Sequence, residues 1–173
     1  RQELCMRHSG GRLTAAMTKH VDDLKGTGDS ATVQHILSEL QKVFGDLKIE
    51  GYTFTNCGAR HIQCKVTKKI TLGQIQFANN LRVIAHAQLP GSKPEDLCCP
   101  ELHQLYQSHL GAVAYLAHTR VDIVVFICAL QRVTHKPQIQ HVRRLNKLLT
   151  WIQRHPKKLL YKQFGKAPGG SHR

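Results

Sequence analysis

The sequence predicts an α+β chain, with short strands and hairpins through its first half and amphipathic helices through its second. Three observations carry that prediction. Apolar residues alternate with polar ones over Tyr52–Thr55 and again at Ile62, Cys64 and Val66, the period of a half-buried strand. Beyond residue 100 they recur every third or fourth position, the period of a helix. Between the two regimes lies Pro90-Gly91-Ser92-Lys93-Pro94, whose residue types interrupt both.

Taken in order, Leu13 to His20 reads as a strand leading into Val21-Asp22-Asp23, a turn that carries the two aspartates, and Lys25-Gly26-Thr27-Gly28-Asp29 follows as a short return strand. Asp29 or Ser30 can cap a helix through Val43. Its stripe is Ile36, Leu37, Leu40, Val43 and Phe44, and Gly45 stops it. Tyr52 and Phe54, the Asn56-Cys57-Gly58 turn or bulge, and Ile62 to Val66 make a second hairpin. A helix over Gly73 to Ile84 buries Ile75, Leu81 and Ile84. After the proline-rich linker, Leu102, Leu105, Tyr106, Leu110, Val113 and Leu116 form one helical stripe. Val121 to Val133 is apolar nearly all round and predicts a buried helix. Gln138 to Arg154 is amphipathic, with Val142, Leu145, Leu149 and Ile152 on one side. Arg143, Lys147 and Arg154 fall within roughly 40° of each other on the opposite side. Pro156 ends that helix. Leu159-Leu160-Tyr161 begins a strand, and Gly165 to Arg173 reads as a loose tail.

Composition narrows the function. The 173 residues suit one ordinary domain or two small pieces. The longest apolar run, Ile123 to Leu130, has eight residues, against roughly 20 for a membrane span. A membrane-spanning chain is therefore excluded, and no charged-then-apolar leader supports secretion. Charge is the positive signal. Lys and Arg number 25 against 11 Asp and Glu, for a net charge of +14. No carboxylate follows Asp122, while eleven Lys and Arg lie between Arg132 and Arg173. Such a field attracts polyanions, of which nucleic acid is the commonest in a cell; a merely solvated basic face is the plainer reading. The six cysteines form no CxxC pair. Cys57, His61 and Cys64 offer three soft ligands, but a structural zinc wants four in a familiar spacing, so they read as ordinary sheet residues.

Asp22 and Asp23 are the residues with chemistry to explain. Adjacent carboxylates at a tight turn repel unless something positive sits beside them. A hard cation such as Mg²⁺ does this with oxygen ligands and keeps its other sites for water and phosphate. Two such ions about 4 Å apart serve phosphoryl transfer. Alone, the pair reads more simply as a solvated acidic turn.

Its surroundings add a resemblance. His20-Val21-Asp22-Asp23-Leu24 resembles the Tyr-x-Asp-Asp box of reverse transcriptases, in the Val-Asp-Asp form of copia-type retrotransposon Pol polyproteins. Further matches follow in the family's order. Ile36-Leu37-x-x-Leu40-x-x-x-Phe44 resembles the helix after the box. Tyr52-Thr53-Phe54-Thr55 stands where the family has its primer-gripping strand, and Ile70-Thr71-Leu72-Gly73-Gln74 with Phe77 and Leu81 resembles the segment that opens the thumb. Leu105 to Leu116 resembles the Tyr-Arg-x-x-x-Gly-x-x-x-Tyr-Leu helix. Thr119-Arg120-Val121-Asp122-Ile123 is close to Thr-Arg-Pro-Asp-Ile, and His141, Arg143, Arg144 and Leu148 are similar to the helix beyond. The likeness runs from about Leu13 to Tyr161.

The resemblance implies a partial reverse-transcriptase palm over 1–88 with the start of the thumb, a linker over 89–100, and a helical thumb/connection over 101–158. Residues 159–173 would be a truncated start of the RNase H region or a loose tail. It implies Asp22 and Asp23 as catalytic, Mg²⁺-holding carboxylates. His20 and Phe54 would lie beside nucleic acid, with dNTP a substrate of the intact parent alone. On the thumb reading, Arg143, Lys147, Arg154, Lys157 and Lys158 line the backbone of an RNA–DNA hybrid or DNA duplex. Several positions depart from the family. His20 stands for the usual Tyr, Val121 for Pro, and Asn56-Cys57 for Gly-Ile. The family also needs a third aspartate on an earlier palm strand, and Glu3 is the only acid before Asp22. The chain alone is therefore expected not to extend a primer. A non-catalytic basic nucleic-acid-binding module, domesticated or decayed, is the competing reading, with a protein–protein adaptor a weaker third. Arg120 and Asp122 read as structural, and Trp151 as packing rather than base stacking.

Overall fold

The computed structural model describes residues 2–20 and 23–162. The predicted tail over 165–173 lies outside them. The chain is mixed α+β with two antiparallel sheets, and divides into two compact units, residues 1–51 and 52–173.

The first unit holds β1 (Gln2–Ser9), β2 (Arg12–His20), β3 (Asp23–Gly28) and α1 (Ser30–Phe44). The strands pair in the order β1-β2-β3, all antiparallel. β1 goes beyond the sequence prediction, which began at Leu13. Its signal is Gly10-Gly11, a two-residue connection with both φ positive and Ser9 paired to Arg12; glycine alone adopts that conformation freely. β2 and β3 form the predicted hairpin, with His20 opposite Asp23. Gly45, at φ 78°, ends α1 as predicted. Burial is slight here. No side chain of α1 is buried, and its stripe leaves Val43 and Phe44 exposed.

The second unit carries the core. β4 (Thr53–Asn56), β5 (Ala59–Gln63), β6 (Ile70–Gly73) and β7 (Leu159–Tyr161) form a sheet in that order. Cys57 and Gly58 make the first hairpin turn, both at positive φ. Val66 is exposed in the following turn and does not extend β5. The helices are α2 (Ile75–Asn80), α3 (Pro100–Tyr115), α4 (Val124–Gln131) and α5 (Ile139–Arg154), with single 3₁₀ turns at Leu116–His118 and Val121–Ile123. From α3 come Leu102, Tyr106, Leu110 and Val113. They meet Ile139, Val142, Leu145, Leu149 and Ile152 of α5 over Ile127 and Leu130 of α4. The Tyr106 hydroxyl, taken into this core, donates to the Leu130 carbonyl at 2.8 Å, and burial pushes its pKa up to about 12.

Two helices differ from their predicted form. α2 stops at Asn80, and Leu81 is already extended. The chain beyond it is held from the side by α5. Asn146 accepts from the Ile84 N–H and donates to the Ile84 carbonyl, both at 2.8 Å, as a neighbouring strand would. Gln153 donates to the carbonyls of Ala78 and Leu81. A helix here would consume those same backbone groups. α4, for its part, is buried on one side only. Ile127 and Leu130 lie in the core, as does Ile123 of the preceding turn, whereas Val125 and Phe126 remain more than half exposed. Only the stripe that meets α3 and α5 is covered, so apolar composition all round does not imply a partner all round.

The proline-rich segment lies inside the second unit and bonds to the start of α5. Ile139 N–H donates to the Asp96 carbonyl and Gln140 N–H to that of Pro94, while Leu97 bridges Gln138. At the head of α5, Gln138 and His141 cap each other reciprocally.

Candidate nucleic-acid interface

At the end of the first sheet, Asp23 opens β3 and is exposed. Asp22, the other predicted catalytic and metal-binding carboxylate, lies outside the described residues, as does the side chain of His20. The register places Glu3 on one face of the sheet. It pairs with Lys19, and Lys19 with Leu24. Because side chains alternate across a strand, Glu3 shares their face and Asp23 projects from the other. Asp23 is an oxygen donor suited to Mg²⁺, but among the described residues no group of three ligands includes it. The described carboxylates alone do not complete such a site.

Phe54 sits half-buried in β4 and stacks on the buried His61 ring, with centroids 4.6 Å apart and planes 7° apart. That face of its ring is therefore occupied by protein.

The basic residues of α5 separate into two kinds. Arg143 is half-buried, and its Nη2 donates to the carbonyls of Leu89 (2.9 Å) and Ser92 (3.0 Å). Its guanidinium thus fastens the proline-rich loop. Arg144, Lys147, Trp151 and Arg154 are exposed. Spaced by three, four and three residues, they fall within roughly 80° around the helix and make one solvent-facing stripe. Arg144 and Trp151 were not among the contacts predicted from sequence. The missing signal was which flank of the amphipathic helix the 89–92 loop would cover.

At the C-terminal end of α5 the stripe runs onto a charged cluster. Arg120 is 4% exposed. Its Nε and Nη2 donate to the two oxygens of Asp122 at 2.9 and 3.1 Å, and its Nη1 donates to the carbonyls of His155 (3.0 Å) and Ile152 (3.5 Å). The guanidinium thereby satisfies carbonyls that the helix end leaves open and sits at the negative pole of the helix dipole. The Trp151 ring lies over it, 5.3 Å from Cζ, and stacks on His155. Lys157 reaches the same carboxylate at 3.1 Å. Hydrogen bonding from Arg120 first, and then from Lys157, holds Asp122 down at about pH 2 against 3.8 ordinarily. Lys157 is therefore exposed but already ion-paired. The Lys158 stem packs against Gly73. A cavity beside Arg120, also lined by Gln74, Thr119 and Ile152, holds about 10 Å³, enough for a water and nothing like a nucleotide.

Comparisons with protein families, curated proteins and solved structures return no match to this chain. No described helix is long and apolar enough to cross a membrane.

Proposed function

We propose that the chain is a portion of a copia-type reverse transcriptase, C-terminal palm with thumb and connection, and that the function it retains is sequence-independent binding of RNA–DNA hybrid or DNA duplex. The observation that carries this reading is the α5 stripe, Arg144, Lys147, Trp151 and Arg154, in a stretch of chain that has no carboxylate after Asp122. Three cations at helical spacing suit a phosphate backbone. The ordered motifs around Asp22-Asp23 support the polymerase ancestry. In the intact parent, Mg²⁺ held by Asp22, Asp23 and a third aspartate would serve nucleotide addition from dNTP.

Filter binding of a hybrid duplex across a salt series tests this. Affinity should fall steeply as salt rises. Replacing Arg144, Lys147 and Arg154 together with Gln should lower the slope of log K against log salt by about 2–3, near 0.9 for each lost phosphate contact. Arg143→Gln should leave the slope unchanged, because its guanidinium faces backbone carbonyls. A triple variant with the parent slope would sink the interface. The purified chain should not extend a primer, and template-directed incorporation abolished by Asp22→Asn would show a complete catalytic site instead. The competing reading, a basic module without catalytic descent, shares the binding results. It parts from the first on the upstream reading frame, where a palm strand bearing an in-frame Asp favours the polymerase.

A further inference from the structure

Outside the basic stripe, the structure gathers three side chains of metal-ligating type. His86 lies on the irregular chain after α2, Cys99 at the N-cap of α3, and Glu101 in that helix's first turn. His86 Nε2 is 3.9 Å from Cys99 Sγ and 3.7 Å from a Glu101 carboxylate oxygen, and the three ligand atoms all lie within 4.8 Å of one another. Around a tetrahedral zinc, bonds of about 2.0–2.3 Å put ligand atoms roughly 3.3–3.7 Å apart. The observed spacings exceed that by tenths of an ångström on the pairs given, and Glu101 is exposed enough to close the remainder.

Gln88 organises the group from behind. Its side-chain carbonyl accepts from the Cys99 N–H at 2.8 Å, its amide donates to the Leu97 carbonyl at 2.8 Å, and its own backbone N–H donates to His86 Nδ1 at 3.1 Å. Gln88 thus fixes the thiol-bearing turn, and in the metal-free chain it holds the imidazole with Nε2 toward the thiol, by a bond that ligation at Nε2 would release. Cys99 and His86 are half-buried in the second unit, so the ligands are presented by fixed chain rather than by a tail.

We infer that His86, Cys99 and Glu101 form a three-ligand site for a borderline-soft divalent cation, Zn²⁺, with the fourth position left to water. Thiolate and imidazole select against Mg²⁺, which takes oxygen ligands. The inference is independent of the polymerase reading, since none of these residues belongs to that site. Its proton balance is explicit. With Gln88 donating to Nδ1, the neutral ring carries its proton on Nε2, facing the thiol. Binding moves that proton to Nδ1, releases the bond from Gln88 N–H, and expels the thiol proton to solvent. Each ion bound therefore releases one proton. The bound ion would tie the chain around residue 86 to the head of α3, stabilising the fold by mass action.

The test uses the full chain, stripped of metal and titrated with Co²⁺ and then Zn²⁺. One Co²⁺ per chain should bind, with the thiolate-to-cobalt charge-transfer absorption of a sulfur ligand, and Zn²⁺ should bleach it. Cys99→Ser should abolish the absorption, while Cys57→Ser and Cys64→Ser leave it intact. Absorption that survives Cys99→Ser, or no absorption at all, overturns the site. Should Cys99→Ser fail to fold, the wild-type chain still decides. Zn²⁺ should slow alkylation of Cys99 by about tenfold, because the reactive thiolate is held by the metal, and leave the exposed Cys128 unaffected. Equal protection of both thiols, or of neither, overturns it.

Discussion

Replacing Arg120 with methionine should lower the unfolding free energy of the second unit by about 3 kcal/mol, the scale for breaking a buried ion pair by removing one partner. The substitution keeps an unbranched stem of similar length beneath Trp151 and removes the guanidinium alone. Lost with it are both bonds to Asp122 and the donors to the Ile152 and His155 carbonyls. Urea unfolding reads the difference, and a change below about 1 kcal/mol would mean that desolvating the guanidinium cancels what its bonds return. The same cluster sets an acid limit. The Asp122 pKa is depressed in the fold, so its contribution is complete above the ordinary carboxylate value of 3.8 and is lost as pH falls toward about 2. The parent should therefore lose stability across that window. Asp122→Asn, already uncharged, should lose less over the same range.

Asn146→Ala should cost about 3 kcal/mol, because it strands both backbone groups of one buried residue and each such group costs about 1–3 kcal/mol. Ile84 is 4% exposed, so its backbone groups have little access to water besides the amide. The isosteric Asn146→Asp separates hydrogen bonding from shape. One carboxylate oxygen still accepts from the Ile84 N–H, but the other then faces the Ile84 carbonyl with no proton between them. At neutral pH it should be no more stable than the alanine variant, and protonation at acidic pH should restore part of the loss. Denaturant midpoints for both variants at two pH values check this. Full stability of Asn146→Asp at neutral pH would show that the amide donor is dispensable.

What was legible in the sequence was whatever depends on local period. The stripes of α1, α3 and α5 and the short β7 appear where their apolar residues or flanking breakers put them, and the α5 core side contains the residues the 3.6 period selected. Three features were not legible, each for a physical reason. β1 has exposed Leu4 and Met6, so its alternation marks no buried face, and Gly10-Gly11 was its only strong signal. The chain after α2 takes its shape from Asn146 and Gln153, which lie 62 to 75 residues away along the sequence. No window over 73–84 contains that information. At the candidate interface, periodicity separated the wet side of α5 from the dry side but could not show that a loop would claim Arg143. That is why Arg144 takes its place on the exposed stripe.

The unburied α1 has a consequence for how the two units respond to strain. Among the described residues of the first unit, Ala15 alone is a buried apolar side chain. Little water-excluding free energy opposes the backbone entropy of that sheet and helix, so their opening needs only a small fraction of what it takes to open α3 and α5. A cell protease would cut within this sheet and helix long before it cut within α3 or α5.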